Sequence, residues 1–321
     1  MIDVAGHRRA WQDEFVRAAD MRKVGHRSDL VRGVRTGSLV PVCRGIYRRA
    51  GFASEDDDDR YLALLRGTQL AARTDLVFVQ MSAARIWQLP IIGQWPRTVH
   101  VTDERRDGSR STAGLVRHNW GLPDVSVDLN GLRVTPLVKT VIDVARCAPF
   151  EVGVAMADAA LHGLRTRSTG GWLRAPLPRP ALEDEIARLT GARGCVRARE
   201  VVAFADARSE SAGESLSRVN IRWLGFPAPV LQQEFHDRRG RMIVDFWWPQ
   251  FNLVGEFDGH GKYLREEYTR GRSTADIVLA EKQREDRLRA LGPRVTRWDW
   301  EVARSLPLLR EHLSGAGLRT A

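Results

Sequence analysis

Residues 241–258 read RMIVDFWWPQFNLVGEFD, and the fold is decided there. Two runs rich in β-branched and aromatic residues, 241–248 and 252–258, are separated by Pro249-Gln250, the pattern of two strands joined by a turn. Each run carries acids where a strand is otherwise apolar. Asp245 interrupts Ile243-Val244-Asp245-Phe246-Trp247, while Glu256 and Asp258 flank Phe257. Side chains alternate along a strand, so Glu256 and Asp258 share one face. An acid in an apolar strand is costly unless paired or bound to a metal. Carboxylates converging from adjacent strands supply the oxygen donors that Mg²⁺ (or Mn²⁺) prefers. Such an ion polarises a phosphoryl oxygen and lowers the pKa of an attacking water.

Outward from this stretch, 213–224 (GESLSRVNIRWL) has the stripe of a helix, with Glu214 placed in its first turn to join Asp245 and Glu256 as a third metal ligand. Residues 230–236 alternate as a strand, 273–291 form a long helix ended by Gly292-Pro293, and 294–300 alternate again. The order is helix, three strands, helix, strand. On the long helix Ile277, Leu288 and Leu291 define an inward stripe that also takes Glu281 and Arg284. Lys282 lies at its edge, four residues after Val278. Polar residues on an inward stripe beside acids suit a catalytic centre. The alternative is an amphipathic helix with ion pairs such as Glu281–Arg284.

This order, with Asp245 followed by Glu256-Phe257-Asp258-Gly259, resembles the PD-(D/E)XK nuclease superfamily, in the branch similar to very-short-patch-repair endonucleases. The resemblance implies Asp245 and Glu256 as metal ligands and Glu214 as accessory acid. The family's lysine two residues after the glutamate is Asp258 here. Either a lysine has moved, to Lys262 or Lys282, or the site is degenerate; Lys282 is the better placed, and His260 is a candidate proton carrier.

The first 50 residues hold 11 Lys/Arg against 5 Asp/Glu, more than half of the chain's net charge of +10. Clustering of this kind is an electrostatic footprint for a polyanion. Phe15–Lys23 reads as a helix, and His26–Arg35 as a second one with Leu30, Val31 and Val34 on its inner face. Arg27, Ser28, Arg32 and Arg35 then point outward. Residues 39–42 and 45–49 form a hairpin joined at Cys43-Arg44, carrying Arg44, Arg48 and Arg49. Helix, turn, basic helix and basic hairpin make a winged helix-turn-helix pattern, its second helix entering the major groove of double-stranded DNA and its hairpin lying along phosphates. The stretch from Phe15 to Tyr47 also resembles the winged helix of AbiEi-type antitoxins. Gly131–Pro136 and Lys139–Ala145 are similar to that family's second domain, in which an arginine is common where Lys139 stands. That resemblance implies DNA binding, often at the protein's own promoter.

The chain has 321 residues, 43% of them hydrophobic, enough for packed cores. Three domains are expected: 1–54 (winged helix-turn-helix), 55–205 (mixed α/β) and 206–321 (an αβββαβ restriction-endonuclease-like core), an α+β multidomain protein. In the middle segment the acid run Glu55–Asp59 reads as a linker or helix N-terminus, and a hairpin turns at Asn130-Gly131. Thr135 and Asp143 read as helix-capping and surface residues, and His118 and His162 have no ligand-spaced partner. Cys43, Cys147 and Cys195 lie far apart with no CxxC pair, which argues against a disulfide scaffold or zinc ribbon. No apolar stretch is long enough to span a bilayer and there is no signal-peptide pattern, so a cytoplasmic protein without membrane contact is expected. The sequence supports a metal-dependent DNA endonuclease or nickase of repair, phage defence or toxin–antitoxin context. Its competitors are a non-enzymatic antitoxin-type regulator and an RNA-cleaving enzyme. A homodimer and a toxin are the candidate protein partners.

Overall fold

The computed structural model describes residues 11–23, 26–102, 111, 114–118, 125–166, 170–189, 191–259 and 274–320. His260 and Lys262 lie outside the described residues, as do the side chains of Ile277 and Val278. The architecture is mixed α and β, in two compact units: 1–148 with 178–199, and 149–177 with 200–321. The packing therefore divides the chain differently from the three expected domains. The 54/55 boundary falls inside the first unit, and the expected middle domain is shared between both.

In the first unit β1 (Phe15–Arg17), α1 (Ala18–Lys23) and α2 (Arg27–Arg35) precede the hairpin of β2 (Leu39–Cys43) and β3 (Ile46–Arg49). The helix expected over Phe15–Lys23 starts only at Ala18, because buried Phe15 opens a strand paired to β3 (Phe15↔Arg48). The sheet order is β1-β3-β2. The inner face of α2 also differs from expectation: Leu30 and Gly33 are buried, while Val31 is 63% exposed. A Cβ on Gly33 would come within 2.8 Å of Leu39 Cδ1, so the missing side chain lets α2 press against β2.

A five-stranded sheet, β6-β5-β4-β8-β7, completes this unit. Its strands are β4 (Val77–Phe78), β5 (Val99–Thr102), β6 (Leu115–His118), β7 (Val127–Leu129) and β8 (Leu132–Val134). Its helices are α3 (Asp57–Ala71), α4 (Gln80–Ile86) and α5 (Leu137–Cys147). The acid run is a helix start: Asp56 caps α3, accepting from the Asp58 N–H at 3.3 Å. Asn130 and Gly131 turn the β7–β8 hairpin with φ of 53° and 77°, the left-handed pair that a two-residue turn demands. Thr135 and Asp143 are buried rather than capping or surface residues; Asp143 pairs with Lys139 at 3.0 Å. His118 does have a partner, since β5 lies beside it and places His100 Nδ1 3.0 Å from His118 Nε2.

The second unit contains α6 (Phe150–His162), the short hairpin β9 (Leu164–Arg165) and β10 (Trp172–Arg174), and the elements around the acids; α7 (Arg179–Arg188) belongs to the first unit, and α8 (Cys195–Phe204) runs across the division at 199/200. The elements around the acids run α9 (Ala212–Trp223), β11 (Val230–Asp237), β12 (Gly240–Trp248), β13 (Leu253–Phe257), α10 (Thr274–Ala290) and β14 (Arg294–Trp298), the element order read from the sequence. The sheet order is β11-β12-β13-β14, antiparallel as far as β13 and parallel between β13 and β14. The last strand stops at Trp298, two residues short of expectation, because Asp299 caps α11 (Trp300–Arg304), which α12 (Leu306–Gly315) follows. Two apolar clusters hold the sheet. Leu288 of α10 packs with Met242, Val244 and Val254. Phe246 stacks on Trp298 with centroids 5.2 Å apart, and Trp298 Nε1 donates to Ser217 Oγ of α9 at 2.8 Å. Gly255 is needed there, since a Cβ would stand 2.7 Å from the Trp298 ring.

Candidate functional site

The acids gather where the sheet opens. The β11–β12 ladder pairs Leu231 with Phe246 and Gln233 with Val244, and skips the Gln232–Asp245 position between them. On the other side of Asp245, the β12–β13 ladder begins only at Phe246↔Gly255. Asp245 thus sits at a fork, with Oδ2 taking the Phe257 N–H at 2.9 Å.

Glu214 reaches the same place from the first turn of α9. Ser211 caps α9: its Oγ accepts from the Glu214 N–H at 3.2 Å and donates to Glu214 Oε1 at 2.8 Å. The Glu210 N–H donates to Oε2 at 2.9 Å. The carboxyl is pushed up to about 8, first by burial and then by the negative charge of Asp245. The Gln232 side-chain amide spans the two acids, 3.3 Å from Glu214 Oε2 and 3.5 Å from Asp245 Oδ1. Gln232 holds φ at 52°, a left-handed conformation unusual for a residue with a side chain.

Glu256 is buried in β13 and meets two guanidinium groups. Arg284 Nη1 of α10 lies 2.7 Å from Oε1, and Arg297 Nη2 of β14 lies 2.7 Å from Oε2. Burial raises the Glu256 carboxyl, and the charges of Arg284 and Arg297 oppose the rise. Arg284 also donates to the Ile243 carbonyl and pairs with Glu281 at 3.2 Å. Arg297 pairs with Glu281 at 2.6 Å and reaches Asp258 at 3.8 Å. Burial pushes Glu281 up, but its bonds with Arg297 and Arg284 outweigh burial and leave it low. Lys282 is exposed, so the cations facing Glu256 are arginines.

The residues fit a divalent ion only in part. Among the described residues no group of three His, Cys, Asp or Glu side chains is arranged around a metal position. Glu256 is neutralised by its arginines. Glu214 and Asp245 fit better: two hard oxygen donors side by side, with the Gln232 amide between them. Of the residues singled out from the sequence, Glu214 lies beside Asp245, and Glu256 and Glu281 share Arg284; Gln232 and Arg297 join them without a signal in the sequence. Regular strand alternation gives no sign of an interrupted ladder. Arg297 meets Glu256 through the parallel register Glu256↔Arg297, which joins residues 41 positions apart.

At the other candidate site, Arg27, Ser28, Val31, Arg32 and Arg35 line one shallow cavity along α2. Arg44 and Arg49 are exposed on the hairpin. Arg48 is 6% exposed, with Nη2 2.8 Å from Glu14 Oε2 and Nη1 on Asp59. It ties β3 to α3 and is removed from the expected phosphate-facing set, because its hydrogen-bonding groups face carboxylates inside the unit.

No protein-family profile matches the chain. It is similar to two proteins of Mycobacterium tuberculosis, uncharacterized protein MT2308 (strain CDC 1551 / Oshkosh) and uncharacterized protein Rv2248 (strain ATCC 25618 / H37Rv). Each is 36% identical over 150 residues, 46% of this chain and 51% of the relative. The chain thus spans about half the length of the curated relatives it matches. Among solved structures, the crystal structure of RV2827C protein from Mycobacterium tuberculosis covers 62% of this chain and 74% of its own at 18% identity, with a TM-score of 0.38.

Proposed function

We propose that the chain is a DNA-binding protein whose C-terminal unit is a metal-dependent phosphodiesterase of the PD-(D/E)XK type, brought to double-stranded DNA by a winged helix-turn-helix at its N-terminus. The observation that supports this best is the meeting of Glu214 and Asp245 at the fork of the sheet, with buried Glu256 one strand further. A bound Mg²⁺ or Mn²⁺ supplies Lewis-acid polarisation of the phosphoryl group and an activated water. The chain's own residues do the rest. Glu214 and Asp245 supply the oxygen donors, and Gln232 holds them together. Arg284 and Arg297 keep positive charge beside the acids, which would otherwise repel a phosphodiester anion. Either arginine is better placed for this than Lys282. For DNA binding, Arg27, Arg32 and Arg35 on α2 and Arg44 and Arg49 on the hairpin supply phosphate contacts.

The test is conversion of supercoiled plasmid to open circle with Mg²⁺ or Mn²⁺. The unsubstituted protein is expected to nick, and Asp245→Asn to lose at least about a hundredfold in rate, since a metal ion contributes several kcal/mol at such a centre. One observation favours a second reading: Glu256 is already neutralised by Arg284 and Arg297, so part of the cluster is balanced without a metal. DNA binding without cleavage under any of these conditions selects the non-enzymatic regulator.

A further inference from the structure

Resting on the reading of the N-terminal segment as a duplex-DNA module, we infer that Val31 is a sequence-reading residue that contacts the C5-methyl group of a thymine in the major groove. The apolar pattern of α2 assigns Val31 to the core, yet it is 63% exposed while Leu30 and Gly33 are buried. Its neighbours are what make the exposure informative. Positions 27, 31 and 35 follow one another at successive turns along a single helical row, so Val31 lies between Arg27 and Arg35. Ser28 and Arg32 form the adjacent row. In the lining of the cavity the result is one branched apolar group among three guanidiniums and a hydroxyl; Val34, 39% exposed, stands one turn on, outside that lining.

The three cations differ in their pairing. Arg32 is held by Asp29, which His26 also contacts at 2.6 Å, whereas Arg27 and Arg35 make no ion pair among the described residues. A surface of this composition has a specific complement. The cations demand a dense array of anions, and the apolar group that the lining holds among them demands a small apolar spot within that array. Duplex DNA offers both in the major groove: phosphates along each edge, and the thymine methyl as the one apolar feature of the base edges. A double-stranded RNA has neither that methyl nor a major groove that side chains can read. Gly33 gives the geometry its structural cause, since it seats the opposite face of α2 closely on Leu39 and leaves the row 27–31–35 outermost.

The test uses the full chain and a random-sequence DNA duplex library. Selection with the unsubstituted protein is expected to enrich a site with a recurring thymine. Replacing that thymine by deoxyuridine, which removes only the methyl, should weaken binding about fourfold, the equivalent of one buried CH₂. Val31→Ala should bind the two duplexes alike with an unchanged salt dependence, and Val31→Thr, which keeps one methyl, should retain part of the preference. Arg27→Ala and Arg35→Ala should weaken both duplexes equally and flatten the salt dependence. The inference is overturned if Val31→Ala keeps the wild-type ratio between the two duplexes, if selection enriches no recurring thymine, or if duplex RNA of the same sequence binds equally well. Failure of the unsubstituted protein to bind any duplex DNA overturns the DNA reading itself, and this inference with it.

Discussion

Gln232 concentrates the physics of the acid site in one residue. Its left-handed backbone costs roughly 1–2 kcal/mol relative to a regular strand conformation, and the neighbouring ladder is interrupted opposite Asp245. What offsets that strain is its amide, the group that bridges Glu214 and Asp245. Two substitutions separate the parts. Gln232→Gly relieves the backbone but gives up the bridge and adds chain entropy, so its unfolding free energy should stay within about 1 kcal/mol of the parent. Gln232→Leu keeps the strain and sets an apolar group against two carboxylates, and should cost about 1–3 kcal/mol. Urea midpoints in metal-free buffer measure both, and a leucine variant as stable as the parent would show that the amide bridge contributes nothing. Arg48 teaches the converse lesson about exposed charge. It shares a strand with exposed Arg49, but only Arg48 faces Glu14 and Asp59, so neighbours in sequence have unrelated roles.

Among the elements, α9 is the one on which the acid site depends, and it is fastened from behind by a buried ion pair. Arg218 Nη1 lies 2.8 Å from Asp158 Oδ2 of α6, whose carboxylate also takes the Ser215 hydroxyl at 2.7 Å and the Asp206 N–H at 2.6 Å. Arg218 Nη2 donates to the Phe204 carbonyl at 2.8 Å. Burial dominates at Asp158 and pushes its pKa up to about 6 from 3.8. The folded state therefore holds this proton more tightly than the unfolded chain does. The stability linked to it is present below pH 3.8 and is lost as the pH rises through about 6. Arg218→Met leaves Asp158 as an uncompensated buried charge at neutral pH, and should lower the unfolding free energy by about 3–5 kcal/mol. The deficit should shrink in acid, where Asp158 is protonated. Urea titrations at pH 7 and pH 4 read both effects; a loss below about 1 kcal/mol at pH 7 means that Ser215 and Asp206 satisfy the carboxylate by themselves.

At the scale of the whole molecule, the chain leaves one unit and returns to it. Residues 149–177 belong with the C-terminal unit, while 178–199 go back to the first. A fragment cut at the boundary expected from composition, 206–321, therefore lacks α6 and the Asp158 partner of Arg218. A fragment covering 149–321 keeps both. The longer fragment should unfold cooperatively on heating, and the shorter should melt at a markedly lower temperature or show no transition. Equal melting temperatures for the two would mean that α6 adds nothing to the unit's stability. Among the described residues no helix is long and apolar enough to cross a membrane.

What the sequence determined by itself was local. Helical stripes, strand alternation and turn residues gave the order of elements from α9 to β14, and the acids within apolar runs marked Asp245 and Glu256 as residues requiring partners. Those signals repeat along one chain axis, so they are readable without knowing what packs against them. Tertiary structure decided which face is buried and who the partners are. On α2 the apolar pattern favoured Leu30, Val31 and Val34, but Gly33 has no side chain to signal its burial, and its close approach to Leu39 turned Val31 outward. On β3 both Ile46 and Tyr47 are apolar, so alternation left two faces open, and carboxylates from Glu14 and Asp59 settled that Arg48 points inward. Arg297 answers Glu256 only because a parallel strand pairs with β13 in one register. Periodicity specifies a face relative to its own element; burial and charge pairing require a second element, and that comes only with the fold.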